Sequence, residues 1–308
     1  MSRIIVIAGP TASGKTSLSL ELALRAGGEI VSADSMQIYR GMDIGTAKAT
    51  TAERALIPHH MIDVVSPEEN YSVARYVEDA ARCCEDILSR GKIPVIVGGT
   101  GLYIDSLLSG RSFAENSDSG LREELEAQYD TLGGEAMLER LSKVDPERAA
   151  LLSPNDRRRI VRSIEIFELT GLTISEHDAM TRLIPPRYEA RRIVLGYRDR
   201  QELYSRINTR VDMMMSAGLK DEVSLLLSSG ISSDSTAMQA IGYKELGLCL
   251  KGELSEEDAV ELIKLRSRRY AKRQITWFSH WEDAHPILWD GGSDIPGALD
   301  YLNREGVL

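Results

Sequence analysis

Cysteine is scarce in this chain, and the three present, Cys83, Cys84 and Cys249, show no metal-ligand spacing. Two of them adjoin on an expected helix, so they read as buried thiols in a reducing compartment rather than as ligands. Long apolar runs are missing as well. No stretch approaches the roughly 20 residues that a membrane-spanning helix needs, so no membrane partner is expected. The first strand pattern starts at the N-terminus and leaves no room for a cleavable leader, which makes a cytoplasmic protein the expectation. Positive net charge is also absent. A formal charge of −10 argues against indiscriminate nucleic-acid binding. It leaves room for a local basic groove, because screening confines charge effects to about 8 Å at physiological salt. No internal repeat or low-complexity tract is visible.

What remains is an ordinary globular balance: 308 residues, 43% apolar and 27% charged, enough for one large core or two moderate ones. A monomer is expected. The most informative segment is Gly9-Pro10-Thr11-Ala12-Ser13-Gly14-Lys15-Thr16, directly after the apolar run Ile4–Ala8 and before a helical pattern, Ser17–Leu24, that ends near Gly27-Gly28. This is a Walker A phosphate loop with a strand before it and a helix after it. Glycines let the backbone curl until its N–H groups and the helix N-terminus converge on a diphosphate. Lys15 adds a point charge, and the Thr16 hydroxyl is placed to ligate Mg²⁺.

Strand–helix units continue through the first 110 residues. Strand patterns fall at Glu29–Asp34, His60–Val65 and Ile93–Val97, and Ser72 caps a helix expected over Val73–Ser89. Nearly continuous apolar strands separated by helices imply an α/β fold with a parallel sheet covered on both faces. Gly9–Thr16, Asp34 and Thr100 lie at carboxyl ends of strands, so they should share one cleft. From Ser112 to Glu189 the pattern turns helical and charged, which reads as an inserted all-helical subdomain (112–189) within a core made of 1–111 and 190–308. Strand pattern returns at Arg192–Tyr197, and helices follow almost to the end. The longest is expected to start at a Ser255 cap and reach about Trp281.

Asp34, at the end of the second strand, sits where a carboxylate could accept a proton from a nucleophile or hold Mg²⁺ through water. Gln37 is able to pair with a nucleobase edge, and Tyr39 to stack on a base or pack in the wall. His59 and His60 lack a third ligand at useful spacing, so a structural role is expected for them.

The run Asp34–Lys48 together with GPTASGKT resembles the tRNA dimethylallyltransferases, which place a dimethylallyl group on N6 of the adenosine 3′-adjacent to the anticodon. The resemblance extends through Pro58–Asp63, Val97–Tyr103, Asn155–Arg159, Ile241–Lys244 and Tyr270–Trp277, nearly the whole chain. Ala49 stands where a proline often follows in that family, and the zinc finger of eukaryotic relatives is absent. The resemblance implies a P-loop NTPase-like sheet and dimethylallyl diphosphate as co-substrate. It casts Asp34 as base, Thr100 as a further donor to the diphosphate, and Arg206 or Arg210 as the clamp on the leaving group, the two being one turn apart on a helix face. It implies anticodon stem-loop contacts from Asp34, Ser35, Met36, Gln37, Thr100, Arg122, Arg158, Arg159, Arg162, Gly242, Tyr243, Lys244, Lys272, Arg273, Gln274 and Trp277.

Two basic clusters agree with an RNA partner: Arg157–Arg159 with Arg162, and Lys264 through Arg273 on the long helix. In the second, Arg266, Tyr270, Arg273 and Trp277 form one stripe, while Phe278 is expected in the core. Other readings stay open at this level: a P-loop small-molecule kinase, a relative that prenylates free adenine nucleotides, and a nonenzymatic RNA-binding ATPase.

Overall fold

The computed structural model describes residues 3–110 and 120–307. The chain divides into two compact units, Met1–Leu108 with Arg187–Leu308, and Ser109–Pro186. The expected start of the helical insertion at Ser112 lies outside the described residues.

The first unit opens with β1 (Arg3–Ala8), α1 (Lys15–Ala26), β2 (Gly28–Ala33), α2 (Thr51–Leu56), β3 (His59–His60), α3 (Val73–Ser89), β4 (Ile93–Gly98) and α4 (Gly101–Ser109). The second unit holds α5 (Leu121–Leu132), α6 (Gly134–Val144), α7 (Pro146–Ala149), α8 (Arg157–Thr170) and α9 (Ile174–Arg182). The first unit resumes with β5 (Glu189–Tyr197), α10 (Arg200–Ser216), α11 (Leu219–Ser228), α12 (Tyr243–Leu250), α13 (Glu256–Phe278), β6 (His285–Trp289) and α14 (Ile295–Arg304).

The six strands form one parallel sheet in the order β3-β2-β4-β1-β5-β6. Its centre is apolar on both faces, as β1 requires with Ile4 to Ala8 at 0–1% exposure. A core of Ile5, Ile7, Leu18, Leu22, Leu195 and Leu302 packs α1 and α14 against one face. The second unit has its own core, built from Leu125, Met137, Leu141, Ile160 and Ile164. Among the described residues no helix is long and apolar enough to cross a membrane.

Two strand expectations need correction. The pattern His60–Val65 yields only the two-residue β3, because Met61 and Asp63 adopt positive φ of 62° and 57° and turn the chain away. Asp63 is held there by Lys48 at 2.6 Å and Arg54 at 2.8 Å. The edge strand β6 escaped the sequence reading, since Ile287-Leu288-Trp289 is short and lies between Pro286 and Gly291-Gly292. Caps were more legible. The Ser72 hydroxyl accepts from the Arg75 N–H and α3 spans the expected residues. Ser255 caps α13, which stops at Phe278 rather than Trp281.

Candidate active site

The loop between β1 and α1 is curled as a phosphate cradle must be. Gly9 has φ +148°, and a Cβ there would stand 2.6 Å from the Leu195 carbonyl oxygen, so only glycine fits. Ala12 and Gly14 also take positive φ, at 62° and 83°. Trp289, at the end of β6, donates its indole N–H to the Ser13 carbonyl at 2.8 Å and supports the loop from behind. Lys15 folds its ammonium onto the carbonyls of Gly9 and Pro10 at 3.0 and 2.7 Å. Burial lowers its pKa to about 7, the neighbouring Arg210 charge adds to this, and Asp34 opposes it.

Asp34 follows β2. Its Oδ1 accepts the N–H groups of Met36 and Gln37 at 2.9 and 3.4 Å, closing a local turn. Its Oδ2 has no hydrogen bond among the described residues, so that oxygen is available. Thr100, just before α4, accepts the Ser35 N–H on its hydroxyl at 3.1 Å and so ties the β4 turn to the Asp34 turn. Lys15, Thr16, Asp34, Gln37, His59 and Val97 line one cleft with Gly98 and Ala49. His59 bonds the Ile57 carbonyl through Nδ1, and His60 joins Arg90 and Lys92 around buried Glu29.

Of the two arginines on α10, Arg210 stands with the charged cluster. Burial lowers its pKa and the Asp34 charge opposes that shift. Arg206 is exposed and lies over the Tyr197 ring, 5.5 Å from its centroid. Tyr270 was missed as a site residue. Burial, reinforced by the Asp34 charge, pushes its hydroxyl up to about 12, and Thr100 and Gln274 are hydrogen-bond neighbours. Its place in the Arg266/Tyr270/Arg273/Trp277 stripe was the available signal.

Several residues expected to meet RNA are occupied within the protein. Gln37 accepts from the Ser32 hydroxyl at 2.9 Å and donates to the Thr46 and Ala47 carbonyls at 3.1 and 3.4 Å. Its amide braces this turn while the residue still lines the cleft. Tyr243 is fully buried and donates its hydroxyl to Glu222 at 2.5 Å. Glu222 also receives the N–H groups of Asp43, Ile44 and Gly45, so the Gly242–Lys244 segment supports the loop after Tyr39. Lys244 bonds the Gln239 side chain at 2.8 Å. Tyr39 is itself buried and packs in the wall. Gln274 is 5% exposed, with both ends of its amide bonded internally.

The basic clusters are also thinned. Arg122 and Arg162 both pair with buried Glu165 at 2.8 and 2.7 Å, and Arg157 pairs with Asp130 at 2.8 Å. On α13, Lys264 pairs with Asp212, Arg266 with Glu245, and Arg268 bonds Asn208. Arg158, Arg159, Arg269, Lys272 and Arg273 remain exposed. Trp277 is 42% exposed, and its indole N–H donates to Asp105 at 2.7 Å, while Trp281 donates to the other oxygen at 3.0 Å. Phe278 is core, as expected, at 2% exposure.

The family described as IPP transferase matches residues 37–281, and the isopentenyl transferase family matches residues 2–58. A tRNA dimethylallyltransferase of Thermoanaerobacter sp. is 49% identical over 282 residues, covering 91% of this chain and 90% of that protein. The chain belongs to the tRNA dimethylallyltransferase family. The tRNA dimethylallyltransferase of Halothermothrix orenii is 48% identical over 310 residues, 100% of this chain and 94% of its own. Among solved structures, the full-length tRNA isopentenylpyrophosphate transferase of Bacillus halodurans matches with TM-score 0.74 at 40% identity, covering 99% of this chain and 96% of that one. A eukaryotic dimethylallyltransferase acting on tRNA matches with TM-score 0.81 at 29% identity, covering 99% and 80%. Family and fold agree on a transferase with a P-loop NTPase-like sheet.

Proposed function

We propose that this chain transfers a dimethylallyl group from dimethylallyl diphosphate to N6 of the adenosine 3′-adjacent to the anticodon of tRNA, acting as a monomer in the cytoplasm. The observation that carries the reading is the meeting of a phosphate loop with an open carboxylate oxygen, Asp34 Oδ2, in one cleft with Lys15 and beside Arg210. The allylic C1–O bond breaks with its electron pair leaving on the diphosphate. The N6 lone pair forms the new C–N bond, and the N6 proton passes to Asp34. Loop amides, Lys15 and Arg210 stabilise the charge that develops on the leaving group. Because an exocyclic amine is a poor nucleophile, its alignment with C1 matters as much as its deprotonation.

The residues present suit Mg²⁺. Among the described residues no group of three or more His, Cys, Asp or Glu could cage a metal. A hard ion sharing the diphosphate oxygens needs only one protein oxygen and water, and the exposed Thr16 hydroxyl at the start of α1 supplies that ligand. When bound, Mg²⁺ neutralises charge on the diphosphate.

Incubating unmodified tRNA with dimethylallyl diphosphate, Mg²⁺ and the protein, then analysing nucleosides by mass spectrometry, tests the reading. Prenylated adenosine that depends on the donor is the expected product. Prenylated adenosine monophosphate, or transfer of the ATP γ-phosphate, would refute it.

Lys15 gives the donor step a pH signature. Its pKa of about 7 in the empty site must rise when a diphosphate arrives. Below pH 7 the ammonium is already charged, and this group adds no pH dependence. Above pH 7, binding takes up a proton, so affinity should weaken by up to about tenfold per unit. Calorimetric titration of dimethylallyl diphosphate at pH 8, in buffers of different ionisation heat, should report close to one proton taken up. K15M should bind more weakly and lose that uptake. Equal uptake by both proteins would remove Lys15 as its source.

Anticodon-loop phosphates fit the start of α8. Arg158 and Arg159 occupy its first turn, where the helix dipole disfavours cations by about 0.3–1 kcal/mol each. Neither has an ion pair among the described residues. An arriving phosphate is attracted by both the dipole and the arginines. R158Q/R159Q should weaken tRNA binding and lower the slope of log K against log salt by roughly 0.7 per arginine. An unchanged slope would return both to the role of solvated surface charges.

A further inference from the structure

We propose that Gln274 is a positioning residue that clamps the diphosphate loop to the turn bearing Thr100, rather than a contact to RNA. The inference rests on the reading of Gly9–Thr16 as the donor's diphosphate site. Gln274 lies on α13 and points into the protein, 5% exposed. Its Oε1 accepts the Thr11 N–H at 2.9 Å, and its Nε2 donates to the Gly99 carbonyl at 2.9 Å. One planar amide thus joins the end of β1 to the end of β4.

The chemistry of the side chain explains why glutamine stands there. The bridge needs an acceptor at one end and a donor at the other, on a rigid plane with a fixed spacing. A carboxylate would set a negative oxygen against the Gly99 carbonyl. A methionine of similar length would leave a part-buried N–H and a buried C=O without this partner. The turn is shaped to the amide as well, since a Cβ on Gly99 would stand 2.1 Å from Gln274 Nε2.

The bridge has consequences for both halves of the reaction. The Thr11 N–H is one of the loop's amides, so its bond to Gln274 sets part of the loop's curl before a diphosphate arrives. Gly99 directly precedes Thr100, whose hydroxyl holds the Ser35 N–H next to Asp34. Gln274 therefore fixes the spacing between the leaving diphosphate and the carboxylate that takes the proton. Preorganised spacing of this kind is where an enzyme with a weak nucleophile gains rate.

The test separates three readouts. Q274M and Q274E should each weaken binding of Mg²⁺-pyrophosphate, measured by calorimetry, by about tenfold. They should lower kcat at saturating donor by roughly 10- to 100-fold, and leave the tRNA Kd within about twofold of the parent protein. G99A, whose added Cβ would press on the same amide nitrogen, should reproduce this split and decides the matter if either Gln274 variant fails to fold. Loss of tRNA affinity at unchanged pyrophosphate affinity would overturn the proposal and make Gln274 an RNA contact. No change in any readout would overturn it too. If the parent protein binds pyrophosphate but transfers no prenyl group, the proposed function fails, while the pyrophosphate titrations still decide the bridge.

Discussion

D34N is expected to lower the rate of prenyl transfer by about 10³-fold while leaving tRNA affinity within about twofold of the parent. The expectation follows from how the two carboxylate oxygens divide their work. Oδ1 closes the turn to Met36 and Gln37, and an asparagine oxygen closes the same turn. Oδ2 is the open oxygen, and in D34N it becomes an NH₂ group that cannot accept a proton. The wall of the cleft survives and the base is lost. Donor affinity feels two opposed effects: a negative charge beside the diphosphate is gone, and Lys15 loses the neighbour that raises its pKa. A single-turnover assay with prebound tRNA, alongside filter binding, separates these effects. Transfer at the parent rate would show that the N6 proton leaves by another route.

The features read correctly from sequence are those whose cause is local. The Walker loop lies within eight consecutive residues, and the Ser72 and Ser255 caps bond N–H groups only three residues on. Apolar strands long enough to be buried on both faces announced β1, β2 and β4. β3 was overestimated because the reasons it stops, the turns at Met61 and Asp63, depend on Lys48 and Arg54 elsewhere in the chain. β6 was missed because five residues at a sheet edge carry little periodicity.

The candidate site shows the same division. Lys15 and Thr16 follow from the phosphate-loop motif, and Asp34 from its place after the second strand together with the family resemblance. Which way Gln274 faces could not be read in this way, since that depends on distant partners: it meets residues 263 and 175 positions away. Charge runs are likewise redistributed by the fold. Arg266 and Lys264 looked like groove cations, yet each is answered by an acid from another helix. The exposed remainder, Arg158, Arg159, Arg269, Lys272 and Arg273, is a smaller set and a sharper one for mutagenesis.

R210Q is expected to cut kcat by about 10²- to 10³-fold at saturating donor, whereas R206Q should stay within about threefold of the parent. Spacing on α10 left the two arginines equivalent; their surroundings do not. Arg210 is close enough to Lys15 and Asp34 for its charge to act on the first and feel the second. Arg206 is exposed against Tyr197. A guanidinium held beside Lys15 and Asp34 stabilises charge mainly as the C1–O bond breaks, so its loss should fall on kcat more than on donor affinity. R210K should recover only part of the rate, because an ammonium lacks the planar fork that grips two phosphate oxygens. The variant also has a second, independent signature. Arg210 helps to hold the Lys15 pKa near 7, so its removal should raise that pKa and move the onset of proton uptake on donor binding to higher pH. R210Q with normal kcat, or with the parent's pH dependence of donor binding, would place the leaving-group clamp elsewhere.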